Sequence, residues 1–148
     1  MKRYLMLSLT ESATITGDIA SVWETVSDPA SWASWDPHVD VSRFEGDFVP
    51  GAEGWTKPRG APGGPFKVVA VIPGKEYSTE SPMPGGAMAI TNTYEQIGAG
   101  QVRVTRRVQL TGWFTPVFKL FWAKGMARDM HHTFAALEQE AQRRAASV

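Results

Sequence analysis

One arginine lies where a predicted strand should carry an apolar side chain. The segment Gln101 to Gly112 alternates with a period of two, and Arg106 falls on its apolar side. The other residues on that side are Val102, Val104, Val108 and Leu110. A buried guanidinium needs a carboxylate, or an acidic or carbonyl oxygen of a ligand, as its partner. Arg106 is therefore predicted to anchor a ligand, to form a structural ion pair, or to extend its charge to a cavity mouth.

Three further polar residues fall on the apolar sides of predicted strands. Glu11 interrupts the apolar side of the segment Tyr4 to Ile15. Asn92 and Tyr94 lie on the apolar side of the segment Met88 to Ile97. The Asn92 amide is suited to hydrogen-bond a ligand or to satisfy a bulge in a curved strand. Glu11, Asn92 and Tyr94 are therefore candidate ligand-binding residues.

The polar residues of the last third are assigned by helical spacing at about 100° per residue. Asp129 is the helix residue expected to face Arg106, the alternative being an edge position that reaches solvent. His131 projects away from the apolar face and His132 lies at its edge, so the pair is expected to be surface residues and no metal site is predicted. His38, at a strand start, is either an acid or base at neutral pH or a structural residue.

Aromatic and sulfur-containing side chains are abundant enough to line an apolar pocket. Each is ordinary core when taken alone, but together they offer a soft, adaptable wall. The candidate wall residues are Trp35, Trp55, Phe66, Met83, Met88, Trp113, Phe118, Trp122, Met126 and Met130.

Composition excludes several classes of function. The chain has 148 residues, about one domain, and its 15 basic and 15 acidic residues cancel, which argues against nucleic acid as a partner. There is no cysteine, so disulfides, thiolate catalysis and Cys-based metal sites are excluded. The N-terminal apolar run is too short for a signal peptide and is interrupted by Glu11, and no segment is long enough for a membrane helix. A cytoplasmic protein without a cofactor is expected; its oligomeric state is left open.

The order of elements predicts an α+β fold. Strands are expected at 4–15, 38–43, 54–57, 66–72, 75–83, 88–97 and 101–112. A short helix is predicted over Ile19 to Ser27 with Asp18 as its N-cap, and one long amphipathic helix over Pro116 to Arg143. The Gly- and Pro-rich segment Pro58 to Pro65 is either a hairpin loop or a mobile lid. An antiparallel sheet wrapped around a terminal helix follows from this order.

The segment Ser21 to Val39 combines a short apolar helix, two Asp-Pro stops and three tryptophans. Together with the order of elements, this segment resembles the START-like, Bet v 1-like superfamily, also called the polyketide cyclase/dehydrase and lipid transport family. The residues that carry the resemblance are Ala20-Ser-Val-Trp23, Ser27-Asp-Pro29, Trp32 and Trp35-Asp-Pro37. The resemblance covers essentially the whole chain.

The resemblance implies a single helix-grip domain over residues 1–148. In that fold a curved seven-stranded antiparallel sheet grips the C-terminal helix, and a hydrophobic cavity lies between them. The first and last strands are neighbours, so Glu11 and Arg106 are expected to meet inside the cup.

Three functions are compatible with these expectations, because the fold hosts unrelated chemistries. The first is binding of a small hydrophobic molecule such as a lipid, polyketide or isoprenoid, oriented by Arg106 with Asn92 or Asp129. The second is an enzyme of the cyclase or dehydratase kind, in which Arg106 stabilises an enolate oxygen and Glu11, Asp129 or His38 moves protons. The third is an interaction module whose cavity is collapsed.

Overall fold

Seven antiparallel strands form one sheet in the computed structural model, which describes residues 6–147. The strands are β1 (Met6–Thr16), β2 (Val39–Phe44), β3 (Glu53–Pro58), β4 (Gly64–Ile72), β5 (Glu76–Met83), β6 (Gly86–Gly98) and β7 (Gln101–Thr111). Their order across the sheet is β1-β7-β6-β5-β4-β3-β2, so β1 and β7 are neighbours as expected. Tyr4 and Leu5 of the predicted first strand lie outside the described residues. The segment between β3 and β4 is a hairpin connection.

Four α-helices and one 3-10 turn complete the fold. They are α1 (Ile19–Val26), the turn Pro29–Ser31, α2 (Trp32–Trp35), α3 (Thr115–Phe121) and α4 (Ala123–Ala146). Helix α4 lies along β1 and α1, which confirms the prediction of a curved sheet around a C-terminal helix. No helix among residues 6–147 combines the length and hydropathy needed to cross a bilayer.

The single long helix predicted over Pro116 to Arg143 is wrong, because the chain forms two helices there. Trp122 has φ −124° and ψ −25°, which are not helical, and it separates α3 from α4. Its side chain is 45% exposed, whereas Met130 and Phe134 further along the same predicted stripe are buried. The apolar spacing runs through the break unchanged, so the sequence pattern carries no sign of it.

Helix α1 and the corner after it are held by two aspartates. The Asp18 carboxylate accepts the Ser21 backbone N–H at 2.9 Å, and this bond lowers the pKa of Asp18. Asp36 is buried, and its Oδ1 accepts both the Thr133 hydroxyl and the His38 backbone N–H at 3.0 Å. The second Asp-Pro therefore fastens the corner to the middle of α4.

The C-terminal end of α4 holds the same corner from the other side. Arg144 donates to Glu140 Oε2 at 3.0 Å, to Asp28 Oδ2 at 3.3 Å and to Ser31 Oγ at 3.0 Å. Hydrogen bonds from Arg143 and Arg144 lower the pKa of Glu140 to about 2. Because Asp28 and Ser31 flank the 3-10 turn, this network ties the tryptophan-rich corner to the last turns of α4.

Aromatic rings fill one end of the space between sheet and helices. Trp23 makes edge contacts with Tyr77 and Tyr94, with ring centroids 6.4 and 6.2 Å apart. Trp32 stacks on Phe66 at 5.5 Å and donates from Nε1 to the Val26 carbonyl. Phe44 and Phe48 extend the same cluster. The α1 end of the cup is thus occupied by the protein's own side chains.

Candidate functional site

Four polar side chains form a row across the inner face of the sheet. In the strand register, Tyr77 of β5 is opposite Asn92 of β6, Asn92 is opposite Arg106 of β7, and Arg106 is opposite Glu11 of β1. We call these four residues the inner polar row. The register places Glu11 beside Arg106 as expected, and it adds Tyr77, which the sequence analysis did not single out.

Arg106 is bound in this row by uncharged partners. Its Nε donates to Asn92 Oδ1 at 2.7 Å, and its guanidinium also hydrogen-bonds the Tyr77 hydroxyl. Asn92 is buried, whereas Arg106 keeps part of its surface accessible to solvent. No carboxylate among residues 6–147 lies within 4 Å of the guanidinium. The predicted ion pair of Arg106 with Glu11 or Asp129 is therefore not formed in the described part of the chain.

Two tyrosines beside Arg106 remain uncharged at neutral pH. Burial raises the pKa of Tyr77 and raises that of Tyr94 well above its usual value; the nearby Arg106 charge opposes this change in both. The phenol rings stack with their centroids 6.3 Å apart. Their neutral hydroxyls hydrogen-bond each other, and the Arg106 guanidinium lies beside them on the inner face.

Glu11 is bonded to α4 instead of to Arg106. Its Oε1 lies 2.7 Å from His131 Nε2, and the His131 ring makes an edge contact with Phe134 at 5.5 Å. His131 is half exposed, in agreement with the predicted surface position, and it also pairs with Glu11. This pair links β1 to α4 at the edge of the cup.

His38, Asp129 and His132 form a second polar group, near α2. Asp129 Oδ2 lies 3.7 Å from His38 Nδ1, and the rings of His38 and His132 stack at 5.5 Å. Asp129 thus occupies the edge position that was the alternative to facing Arg106. The buried atoms Trp35 Nε1 and His38 Nε2 have no hydrogen-bond partner among the described residues.

The predicted wall divides into residues that face the interior and residues that do not. Phe66, Phe118 and Met130 are buried, and Met83, Met88 and Met126 pack against the core while partly exposed. Trp35 is also partly buried and packs against the core.

Three tryptophans were wrongly assigned to that wall. Gly54 lies under the inward-facing Phe66 ring, so the next residue, Trp55, points to the outer face, where Arg43 lies 5.0 Å over its ring. Trp113 is 60% and Trp122 is 45% exposed, so neither is an interior wall residue. Aromatic content alone could not distinguish these positions from core.

Two surface grooves lie on the outer face of the sheet, away from the expected cavity. One, of about 240 Å³, is lined by outward residues such as Ala89 and Gln109. The other, of about 710 Å³, lies over the outer face near Thr93 and Arg103. On the inner face, solvent reaches the partly exposed, inward-facing Met88, Ile90 and Met126 beyond the aromatic cluster.

The sequence did not identify two residues of the site, Tyr77 and Asp36, as functional candidates. Tyr77 lies on the inward side of β5. Tyr77 and Thr79 are both buried and two residues apart, and this alternation would have identified Tyr77 as an inward residue. Asp36 stood in an Asp-Pro stop, a pattern that indicates a turn and does not reveal its buried bond to Thr133.

Comparisons with known proteins agree with this architecture. The family model described as polyketide cyclase/dehydrase and lipid transport matches residues 6–142. A comparison with curated proteins gives no significant match.

Several solved structures share the fold at low sequence identity. The aromatase/cyclase Zhui from Streptomyces sp. R1128 is 12% identical with a TM-score of 0.76, over 95% of this chain and 96% of that one. A START superfamily protein from Mycobacterium smegmatis is 11% identical with a TM-score of 0.72, over 92% and 97%. The di-domain ARO/CYC StfQ of the steffimycin biosynthetic pathway is 15% identical with a TM-score of 0.75; the match covers 98% of this chain and spans 53% of StfQ.

The family match extends over nearly all of the sheet and helix α4, and the solved structures share the same helix-grip architecture. The chain therefore belongs to the polyketide cyclase/dehydrase and lipid transport family.

Proposed function

We propose that this protein binds a small hydrophobic molecule of the lipid, polyketide or isoprenoid kind against the inner face of its sheet. The observation that carries the proposal is Arg106, a guanidinium on an apolar inner face whose partners are the uncharged Asn92 and Tyr77. A guanidinium has five N–H donors, and one from Nε is used by Asn92. The remaining donors suit a carbonyl or acidic oxygen at the polar end of a ligand.

The apolar part of the ligand would lie against the side chains beyond the aromatic cluster. Met88, Ile90 and Met126 point inward and keep part of their surface exposed. Methionine adapts its shape at low cost, which suits ligands of variable form. This arrangement supports an apolar surface with one polar anchor, the usual composition of a small-molecule site.

A second candidate is an enzyme of the cyclase or dehydratase kind. The observation that favours it is the guanidinium of Arg106 beside the neutral hydroxyl of Tyr77. Donors fixed in place around a developing oxyanion are what stabilises an enolate during such reactions. In this alternative His38 or Asp129 would move the proton, since the carboxylate of Glu11 is bonded to His131.

Native mass spectrometry of gently purified protein tests both candidates. We expect an apolar mass bound to the protein, and binding of a hydrophobic dye after its removal. A carrier releases an added poly-β-ketone unchanged, whereas a cyclising dehydratase releases a product that has lost water. A clean unbound mass with no dye binding would contradict both candidates and favour an interaction module with a filled interior.

A further inference from the structure

His38, Asp129 and His132 bring three potential metal ligands together where the chain after the second Asp-Pro meets α4. One ligand atom from each residue lies within 4.8 Å of the other two. Asp129 and His132 are three residues apart on α4 and so share a face, whereas His38 belongs to the chain after the second Asp-Pro. The group therefore exists only in the folded protein.

Hydrogen bonds hold the backbone at His38 close to α4, which carries the other two ligands. Asp36 Oδ1 accepts the His38 backbone N–H and the Thr133 hydroxyl, both at 3.0 Å, and Thr133 follows His132 on α4. These bonds hold the His38 backbone against the helix turn that carries the other two ligands. A site whose ligands are held by neighbouring hydrogen bonds needs little rearrangement to bind an ion.

The distances suit ligands of one ion better than they suit a hydrogen bond. His38 Nδ1 and Asp129 Oδ2 are 3.7 Å apart, beyond hydrogen-bond range. Two ligands of a tetrahedral zinc ion are ~3.4 Å apart when each is 2.0–2.1 Å from the metal. The buried His38 Nε2 also has no partner among the described residues, so neither ring nitrogen is satisfied by the protein.

We propose that His38, Asp129 and His132 bind a divalent transition-metal ion, with Zn²⁺ as the best match. Two imidazole nitrogens and one carboxylate oxygen are donors that zinc prefers, whereas Mg²⁺ and Ca²⁺ prefer oxygen ligands alone. The neighbouring cation, Arg128, lies 3.8 Å from the other oxygen of Asp129 and is 73% exposed. Its side chain is free to turn into solvent when the ion binds.

Calorimetric titration of chelator-treated protein without a histidine tag tests the site, with Zn²⁺ as the probe. We expect one ion per chain. His132→Gln and Asp129→Asn should each weaken the affinity by more than about tenfold, the range that even outer ligand contacts reach. Co²⁺ should give the visible absorption of a low-coordinate site in the wild type and lose it in both variants.

His131→Gln is the matched control. This variant removes a half-exposed histidine that is next to His132 in the sequence. The His131 ring contacts Glu11, which is not a ligand of the proposed site. Unchanged affinity in this variant, with loss in His132→Gln, supports the site. No stoichiometric uptake, wild-type affinity in His132→Gln, or equal loss in His131→Gln would overturn it. Melting curves without metal confirm that each variant folds.

A separate observation concerns α3, which buries Phe118 and exposes several other apolar side chains. We call Trp113, Val117, Leu120, Phe121 and Trp122 the α3 patch. Leu120 is 77% and Phe121 69% exposed, and Phe114 joins the two tryptophans through ring contacts of 6.0 and 5.8 Å. Single exposed apolar residues are ordinary, but a contiguous set of this size marks a docking surface.

The charges around the α3 patch indicate what docks there. Lys119, Lys124 and Arg128 are exposed, and no acidic residue occurs between Gly112 and Arg128. A convex apolar helix with tryptophan at both ends and a cationic border is suited to the interface of an anionic bilayer. We infer that the α3 patch docks the protein on such a membrane surface.

Vesicle sedimentation tests this surface. We expect binding to phosphatidylcholine vesicles that contain phosphatidylglycerol, weaker binding to phosphatidylcholine alone, and a decrease with salt. Leu120→Glu/Phe121→Glu should abolish it, whereas Val49→Glu/Ile72→Glu, which changes exposed apolar residues elsewhere, should not. Equal binding by both double variants would overturn the inference. So would a wild-type dimer that becomes monomeric in the patch variant, because the occupant would then be a second copy.

Discussion

Replacing Arg106 with leucine should abolish ligand retention and lower the free energy of unfolding by roughly 1–3 kcal/mol, the cost of leaving a buried polar group unpaired. The unpaired group is Asn92 Oδ1, which is buried and accepts the 2.7 Å bond from Arg106 Nε. An isolated ligand anchor would lose no stability on this replacement, whereas one partner of a buried ion pair would lose several kcal/mol. Because Asn92, the partner of Arg106, is uncharged, the expected loss of stability lies between these two values. Native mass spectrometry and urea unfolding measure the two effects.

The arginine next in sequence provides the control. Arg107 points to the outer face of β7, so Arg107→Leu should change stability by no more than about 0.5 kcal/mol and leave ligand retention intact. The double variant Arg106→Leu/Asn92→Leu removes both partners and should regain most of the stability without regaining the ligand. Ligand retention equal to wild type in Arg106→Leu would contradict the proposed role of Arg106.

Replacing Gly112 with alanine should lower the free energy of unfolding by roughly 2–5 kcal/mol, the sum of the cost of a positive-φ backbone and the cost of an overpacked contact. Gly112 has φ +108°, and a Cβ there would lie 2.5 Å from the Gly85 carbonyl oxygen. The opposing atoms belong to the backbone of the β5–β6 turn, so they cannot move aside as a flexible side chain would. Chemical denaturation measures the loss.

Gly100→Ala separates the two contributions to that loss. Gly100 has φ +70°, but nothing lies within 4 Å of its added Cβ. This variant should therefore lose only the conformational part, about 1–2 kcal/mol. An equal loss in both variants would show that the close approach of Gly112 to the β5–β6 turn contributes nothing.

Local patterns predicted most of the strands and helices, and the family resemblance supplied their arrangement. Alternation predicted the strands and the inward position of Arg106, and an acidic residue before an apolar run predicted the Asp18 cap. The break at Trp122 was missed because the same three- and four-residue spacing continues through it. A helix pattern reports which residues are apolar, and a single non-helical residue leaves that pattern intact.

Contacts within the candidate site were harder to predict, because they depend on elements far apart in the chain. His38 and Asp129 meet only because Asp36 fastens the corner to α4 through Thr133. Similarly, the register placed Glu11 beside Arg106, but the carboxylate turned to His131 on α4. Sequence spacing assigns residues to faces, and it cannot choose among several partners on facing elements.

The position of β1 at the edge of the sheet has a consequence for how the chain folds during synthesis. In the described sheet, the strand next to β1 is β7. Helix α4, which packs along β1 and α1, follows β7 in the sequence. Strand β1 and helix α1 therefore leave the ribosome with their apolar faces uncovered. They gain their partners only after β7 and α4 have been synthesised. Such long-range pairing is slow to form, so the nascent chain is exposed to aggregation until its last helix has been made.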